Sequence, residues 1–368
     1  MVDALKGRVE DSLAGCVVPN TQQPLMAVSR LMTCEVKGDS LQVKLDLGFS
    51  LAQTARAALV LTLQDALQKA GLNESVQVEL STSIRSHGQA SSHKAVPGVR
   101  NVIAVASGKG GVGKSTTSVN VACALAQQGC RVGLLDADIY GPNQPLMLGV
   151  TAVAKADDSQ LVPLLAHGVY SMSMGYLVDP DTPMVWRGPM VSKALTQLLY
   201  QTAWPDLDYL IVDLPPGTGD VQLTLSSSVR MTGAMIVSTP QDVALMDAKK
   251  AIKMFSKVSV PVLGMVENMS THVCSQCGHE EAIFGHGGAL SVAKDLTIPL
   301  LGELPLSLSV RQACDEGMPI VCADAESDIA QRYQSIATNV SLQVALQPIN
   351  YDSHFKVAVE TRGSTQGE

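Results

Sequence analysis

The chain has 368 residues, 26 basic and 34 acidic, a formal net charge of −8, and 46% hydrophobic but only 4% aromatic residues. That composition is globular, and the length exceeds what one core usually serves, so a large domain and a smaller one are expected. The acidic balance speaks against an electrostatic nucleic-acid binder, and no apolar run reaches the ~20 residues that span a bilayer. The charged start, Met1 to Glu10, lacks the apolar stretch of a secretory signal. A cytoplasmic location with reduced thiols is therefore expected, with neither nucleic acid nor membrane as partner.

Residues 1–85 read as a small α+β domain. Leu5, Val9 and Leu13 recur at helical spacing, as do Leu59, Leu63 and Leu67 before Gly71. Leu41, Val43, Leu45 and Leu47 alternate with polar residues as a strand, Met32 to Val36 precedes a Lys37-Gly38-Asp39-Ser40 turn as its hairpin partner, and Val76, Val78 and Leu80 form a last strand. Residues 86–100 are small, polar and aperiodic, a linker. Residues 101–349 then alternate strands with helices. Strands are expected at Val102–Ala106, Arg131–Asp136, Tyr209–Asp213, Ala234–Ser238, Val262–Asn268 and Pro299–Leu304, and a helix from Lys114 to about Gln128. The expected fold is α/β, a doubly wound, mainly parallel sheet covered on both faces. Residues 350–368 read as a flexible polar tail.

The first strand runs into Gly108-Lys109-Gly110-Gly111-Val112-Gly113-Lys114-Ser115-Thr116, which contains the phosphate-loop pattern. The glycines let backbone N–H groups turn around a polyphosphate, Lys114 neutralises the β- and γ-phosphates of ATP, and the Ser115 hydroxyl can ligate Mg²⁺. The helix that follows directs its positive end at the anion. Asp136 and Asp138 follow the second strand, and Asp213 ends another, where open α/β sheets bind ligands. Asp213 suits the Walker B position, and Asp138 suits polarisation of the attacking water. The Pro215-Pro216-Gly217-Thr218-Gly219 stretch suits a switch loop.

Asn268 ends a strand and is followed by Cys274-Ser275-Gln276-Cys277-Gly278-His279. Two thiolates at this spacing can share a metal but do not complete a four-thiolate site. Three completions are open: His272 and His279, distant cysteines, or the same pair from a second subunit. Zinc is a rival occupant, and a thioredoxin-like redox role is the weaker reading because the pair does not open a helix. Cys34, at a strand position, and Cys123, Cys130, Cys314 and Cys322 read as structural, and His286 as a loop-packing residue. Trp186 and Arg187 suit either a nucleotide or subunit contact or a surface anchor.

With Lys109 inside it, the loop resembles the deviant Walker A of the family containing MinD, ParA and nitrogenase iron protein. That resemblance implies a homodimer in which Lys109 reaches the partner's nucleotide. Together with DADIYGPN (Asp136 to Asn143), WRGPM (Trp186 to Met190), DLPPGTGD (Asp213 to Asp220), ENMS (Glu267 to Ser270), the cysteine pair and FGHGG (Phe284 to Gly288), the chain is similar over about residues 97–345 to the Mrp/ApbC-type P-loop ATPases. The resemblance implies an ATP hydrolase that carries an iron–sulfur cluster, a [4Fe–4S] bridging two subunits through Cys274 and Cys277 of each. It further implies receipt of the cluster from an assembly scaffold, delivery to apo iron–sulfur proteins, and an adenine contact from Asn268. The N-terminal domain resembles the MIP18 family without its Cys-Pro, which favours partner docking over thiol chemistry. A ParA- or MinD-like positioning switch leaves the cysteine pair unused, whereas a zinc-binding or metal-insertion ATPase shares the whole nucleotide site.

Overall fold

The computed structural model describes residues 2–72, 75–88, 93–154, 156–157, 160–178, 188–274 and 276–350. The readings made for Trp186, Arg187, part of the linker and the tail from Tyr351 lie outside the described residues.

The N-terminal unit follows its hydrophobic pattern. Helix α1 (Val2–Leu13) buries Val9 and Leu13, and α2 (Gln53–Lys69) buries Leu59, Leu63 and Leu67. Strands β1 (Ser29–Lys37) and β2 (Ser40–Leu47) pair antiparallel through a turn in which Gly38 takes φ +58°, and β3 (Ser75–Thr82) joins β2 in parallel. Cys34 faces this core, and burial pushes its thiol up.

Among the described residues, the larger unit has one nine-stranded mixed sheet and a separate two-stranded one. Its first strand, β4 (Val99–Ala106), leads to α3 (Lys114–Gln127) and β5 (Val132–Asp136). A four-residue helix α4 (Gln144–Met147) precedes the short β6 (Ala156–Asp157) and β7 (Gln160–Leu161), then β8 (Leu164–Ala166) and β9 (Val169–Ser173). Next come α5 (Gly188–Gln201), β10 (Leu207–Asp213), α6 (Asp220–Ser228), β11 (Gly233–Ser238) and α7 (Asp242–Lys257). The chain continues through β12 (Val262–Val273), β13 (Glu280–Glu281), α8 (Gly288–Asp295), β14 (Leu300–Leu306), α9 (Leu308–Asp315), α10 (Ile320–Ala323) and α11 (Asp328–Ala345). The sheet order is β13-β12-β11-β4-β10-β5-β9-β8, with β14 also on β12. Among the described residues of this sheet only β8 and β13 run antiparallel to their neighbours, while β6 and β7 pair antiparallel apart from it.

Strand β10 shows why both faces are covered. Leu210 and Val212 enter one core, Tyr209 and Ile211 the other, so a period-two strand with no polar face must lie between two layers. Several expectations shift: β4 begins at Val99, inside the expected linker, and β10 at Leu207 rather than Tyr209. The pair β8–β9 forms one edge of the sheet from a segment without a continuous apolar run. Strand β12 continues past Asn268 to Val273, and the last strand spans Leu300–Leu306 rather than Pro299–Leu304.

The two units share a seam on α11. Leu342 is part of the N-terminal core, and the Ser50 backbone N–H donates to Ser341 Oγ at 2.7 Å. The same hydroxyl pairs with the Tyr209 hydroxyl at 2.8 Å, so one buried group joins β10, α11 and the N-terminal unit. No described helix is long and apolar enough to cross a membrane. Ser341→Ala leaves the Ser50 N–H and the Tyr209 hydroxyl unpaired, and unfolding by urea should show a loss of about 1–3 kcal/mol. A change below about 0.5 kcal/mol would contradict this account of the seam.

Candidate functional site

Three strand ends meet where β4 turns into α3. In the parallel ladders Asp213 sits level with Val105 on one side and Asp136 on the other. Strand β4 lies between β10 and β11, and the chain later builds outward on both sides of it, which makes this edge the topological switch point. Gly111 and Gly113 both take φ +79°, and a Cβ on Gly113 would come within 2.1 Å of Asn268 Nδ2. A Cβ on Gly108 would meet the Asp247 carbonyl carbon at 2.2 Å, so the turn closes only with glycine at these positions.

The loop lysine is buried rather than solvated. Lys114 Nζ lies 2.6 Å from Asp213 Oδ1 and 3.3 Å from Ser115 Oγ. Asp213 also accepts from the Ser118 hydroxyl at 2.8 Å and from Gln144 Nε2 at 3.0 Å. Asp136 accepts the backbone N–H groups of Asp138 and Gln144, each at 3.1 Å, and the Ser173 hydroxyl at 3.3 Å. Burial, with the Asp213 charge beside it, pushes the Asp136 carboxyl up to about 7, against the two N–H bonds and the Lys114 ammonium. Asp138 is half-buried, and burial raises its carboxyl while Lys114 opposes the rise. Lys109 stands apart on the rim, with Nζ 3.5 Å from Gln241 Oε1.

Asn268 closes the other side of the loop by donating from Nδ2 to the Val112 carbonyl at 2.8 Å. Beside it opens a cleft of about 480 Å³ lined by Thr116, Asn268, Leu306, Leu308, Arg311 and Tyr333 among others. A mostly apolar cleft against a phosphate loop is suited to a flat heteroaromatic group. A larger groove, about 760 Å³, lies at the far end of the sheet around Arg85, Arg100 and Asp206 and touches none of these residues.

The structure brings Lys114, Ser115, Asp136 and Asp213 together, with Asp138 and Thr116 beside them. Cys274 and Cys277 lie elsewhere, beyond the end of β12. The Cys274 N–H bonds the His279 carbonyl and the Gly278 N–H bonds the Cys274 carbonyl, both at 2.9 Å, closing a tight turn. Hydrogen bonds from the backbone N–H groups of Cys277 and Gln276 and from the Cys277 thiol hold the Cys274 thiol below its ordinary pKa. Among the described residues, neither His272, His279 nor a further cysteine or carboxylate forms a three-ligand group with the pair. The one such group is Glu267, His286 and Glu303, where His286 Nε2 lies 3.3 Å from Glu303 Oε2. Cys123 and Cys314 are buried, with raised thiol pKa values.

Sequence reasoning missed Ser118, Gln144, Ser173 and the cleft residues from Leu306 to Arg311. Ser118 is one helical turn beyond Lys114 and could have been found by that spacing. Gln144 and Ser173 carry no local signal.

Residues 98–341 match a family described as ParA, NUBPL iron-transfer P-loop NTPase. An iron-sulfur cluster carrier protein of Haemophilus influenzae is 47% identical over 331 residues, 89% of each chain. The mouse iron-sulfur cluster transfer protein NUBPL is 51% identical over 270 residues, 73% of this chain and 84% of its own. A nucleotide-binding protein of Archaeoglobus fulgidus, solved with ADP and cobalt, superposes with a TM-score of 0.57 at 36% identity, covering 65% of this chain and 93% of its own.

A carboxyl raised from 3.8 to about 7 binds its proton more tightly in the folded state. Its stabilising share is complete below 3.8 and is lost as pH rises through about 7. Between about pH 5 and about pH 8 the thermal midpoint of the parent chain should therefore fall more steeply than that of Asp136→Asn. Parallel profiles would show that Asp136 is not the group responsible.

Proposed function

This chain belongs to the ParA-like family of NUBPL-type iron-transfer P-loop NTPases, and on that premise we propose that it is an ATP-dependent carrier delivering iron–sulfur clusters to apo-proteins. The observation that carries this reading is the Cys274–Cys277 turn, with Cys277 exposed, Cys274 half-buried and its thiol pKa lowered, and with no third ligand from the described residues of its own chain. A two-fold axis through the turn supplies four thiolates from two subunits, the ligand count of a [4Fe–4S] cluster. Exposed Val273 and Ile283 flank the turn and offer apolar surface for that contact. An assembly scaffold is the proposed donor and the cytoplasm the proposed location.

In the nucleotide site, Lys114 exchanges Asp213 for the β- and γ-phosphates, and the backbone N–H groups of Gly110 to Ser115 line the polyphosphate. The Ser115 hydroxyl with the Asp213 and Asp136 carboxylates is an all-oxygen set that fits Mg²⁺. That ion neutralises charge on the phosphate oxygens when bound. Asp138, half-exposed at the mouth, orients the attacking water. Asn268 and the adjoining cleft hold the adenine, and Lys109 on the rim reaches the nucleotide of the partner subunit.

The physical link between the two chemistries is β12. Asn268 touches the phosphate loop, and six residues later the same chain presents Cys274, a reach of about 20 Å for extended backbone. Between them Met269 takes φ +58° and the pairing with β14 slips between Asn268 and His272. Conformational strain at such a point is where a nucleotide-dependent change can be absorbed.

Anaerobic reconstitution with iron and sulfide tests the cargo. The parent chain should take up about four irons per dimer with a broad band near ~400 nm, and Cys277→Ala should take up essentially none. Tight zinc without a chromophore would overturn the cluster reading. Lys114→Ala should load normally but fail to show ATP-dependent delivery to an apo-ferredoxin, and delivery at the parent rate would sever nucleotide from transfer.

A further inference from the structure

Gln144 sits at the first position of α4 with 1% of its surface exposed, and its backbone N–H and side-chain amide nitrogen both bond to the hydrolytic site. Its backbone N–H holds Asp136. Its Nε2 donates both to the Ser115 carbonyl at 3.1 Å and to Asp213 Oδ2 at 3.0 Å. Because both of these partners accept only, the amide must present its NH₂ to them, which fixes the orientation of the side chain. Its carbonyl oxygen, Oε1, is then buried with no donor among the described residues. Leaving such an oxygen unpaired costs about 1–3 kcal/mol, so a side chain that only filled space here would be better apolar.

We propose that Gln144 is a positioning residue of the hydrolytic site. It would hold Asp213 in place for Mg²⁺ once Lys114 leaves for the phosphates, and its orphan Oε1 would be available to accept a hydrogen bond from a water that enters with the ion. The inference rests on the nucleotide-site reading above. Asp213 has two side-chain donors besides Lys114, and they divide between its oxygens: Ser118 on Oδ1, which it shares with Lys114, and Gln144 on Oδ2. When the ammonium departs, Gln144 alone among the described side chains restrains Oδ2. The Ser115 carbonyl held by the same NH₂ belongs to the residue whose hydroxyl would face the metal, so one amide sets two members of the metal's surroundings.

Gln144→Leu and Gln144→Met remove the amide, keep much of the volume, and leave the backbone bond to Asp136 intact. The experiment titrates a fluorescent ADP with and without Mg²⁺ and follows hydrolysis as Mg²⁺ is varied. Mg²⁺-free ADP affinity should stay within about twofold of the parent, while the gain on adding Mg²⁺ should shrink about tenfold in both variants. The Mg²⁺ concentration for half-maximal hydrolysis should rise correspondingly, with KM for ATP unchanged at saturating Mg²⁺. An undiminished Mg²⁺ gain, or a fall in Mg²⁺-free affinity by the same factor, would overturn the positioning role; the second of these is what a purely structural side chain produces. A parent chain whose ADP affinity ignored Mg²⁺ would instead bring down the nucleotide-site reading itself.

Discussion

The contact between Lys114 Nζ and Asp213 Oδ1 organises this molecule. Both side chains are almost wholly out of water, and two buried charges repay their lost hydration only when geometry is close and their other valences are met. Here they are met by Ser118 and Gln144 on the carboxylate and by Ser115 on the ammonium. The arrangement requires β4 and β10 to end level, α3 to begin one residue after Gly113, and α4 to fold back over the site. A polyphosphate offers the lysine several charged oxygens in place of one. Binding of a polyphosphate here would trade partners for a buried charge, while Asp213 would stay held by its other two donors.

A second constraint ties this centre to the distant cysteines. Asn268 fits against Val112 only because residue 113 is glycine, and the strand that delivers Asn268 ends at the cysteine turn. Glu267, next to it, is fully buried and accepts the N–H groups of Gly287 and Ala289 at the start of α8, fixing the FGHGG loop that follows the turn. Pro240, which packs against Gly285 and Gly288 of that loop, adjoins Gln241, the partner of Lys109. The phosphate loop is thus joined to the cysteine turn along β12, and Gln241, the partner of Lys109, to the glycine loop through Pro240.

Much of the fold was legible because each central strand is a compact apolar run closed by Asp, Ser or Asn. The phosphate loop, Asp136, Asp213 and the cysteine pair stand out in the sequence by their fixed spacing, and the structure gathers the loop lysine and the two aspartates at one sheet edge. What escaped depends on contacts between distant residues. Strand β9 interleaves Ser171 and Ser173 with apolar residues, and Ser173 serves Asp136 rather than the core. The extension of β12 through Ser270, Thr271 and His272 has no apolar pattern and is stabilised by pairing with β13 and β14. Gln144 meets Asp213 across 69 residues of sequence, and nothing local marks it. The seam at Ser341 is equally silent, since a lone helical serine looks like surface until Ser50 and Tyr209 are brought to it.

The central claim is that each chain holds half of a cluster site. The most direct measurement mixes equal amounts of the parent chain and a Cys274→Ala, Cys277→Ala chain, allows subunits to exchange, reconstitutes anaerobically, and counts clusters per total dimer. If the cluster bridges subunits, hybrid dimers stay empty and about one quarter of dimers should load. Iron tracking the parent chain alone, about half of the all-parent level per chain, would mean that each chain binds its own metal and would contradict the bridging account.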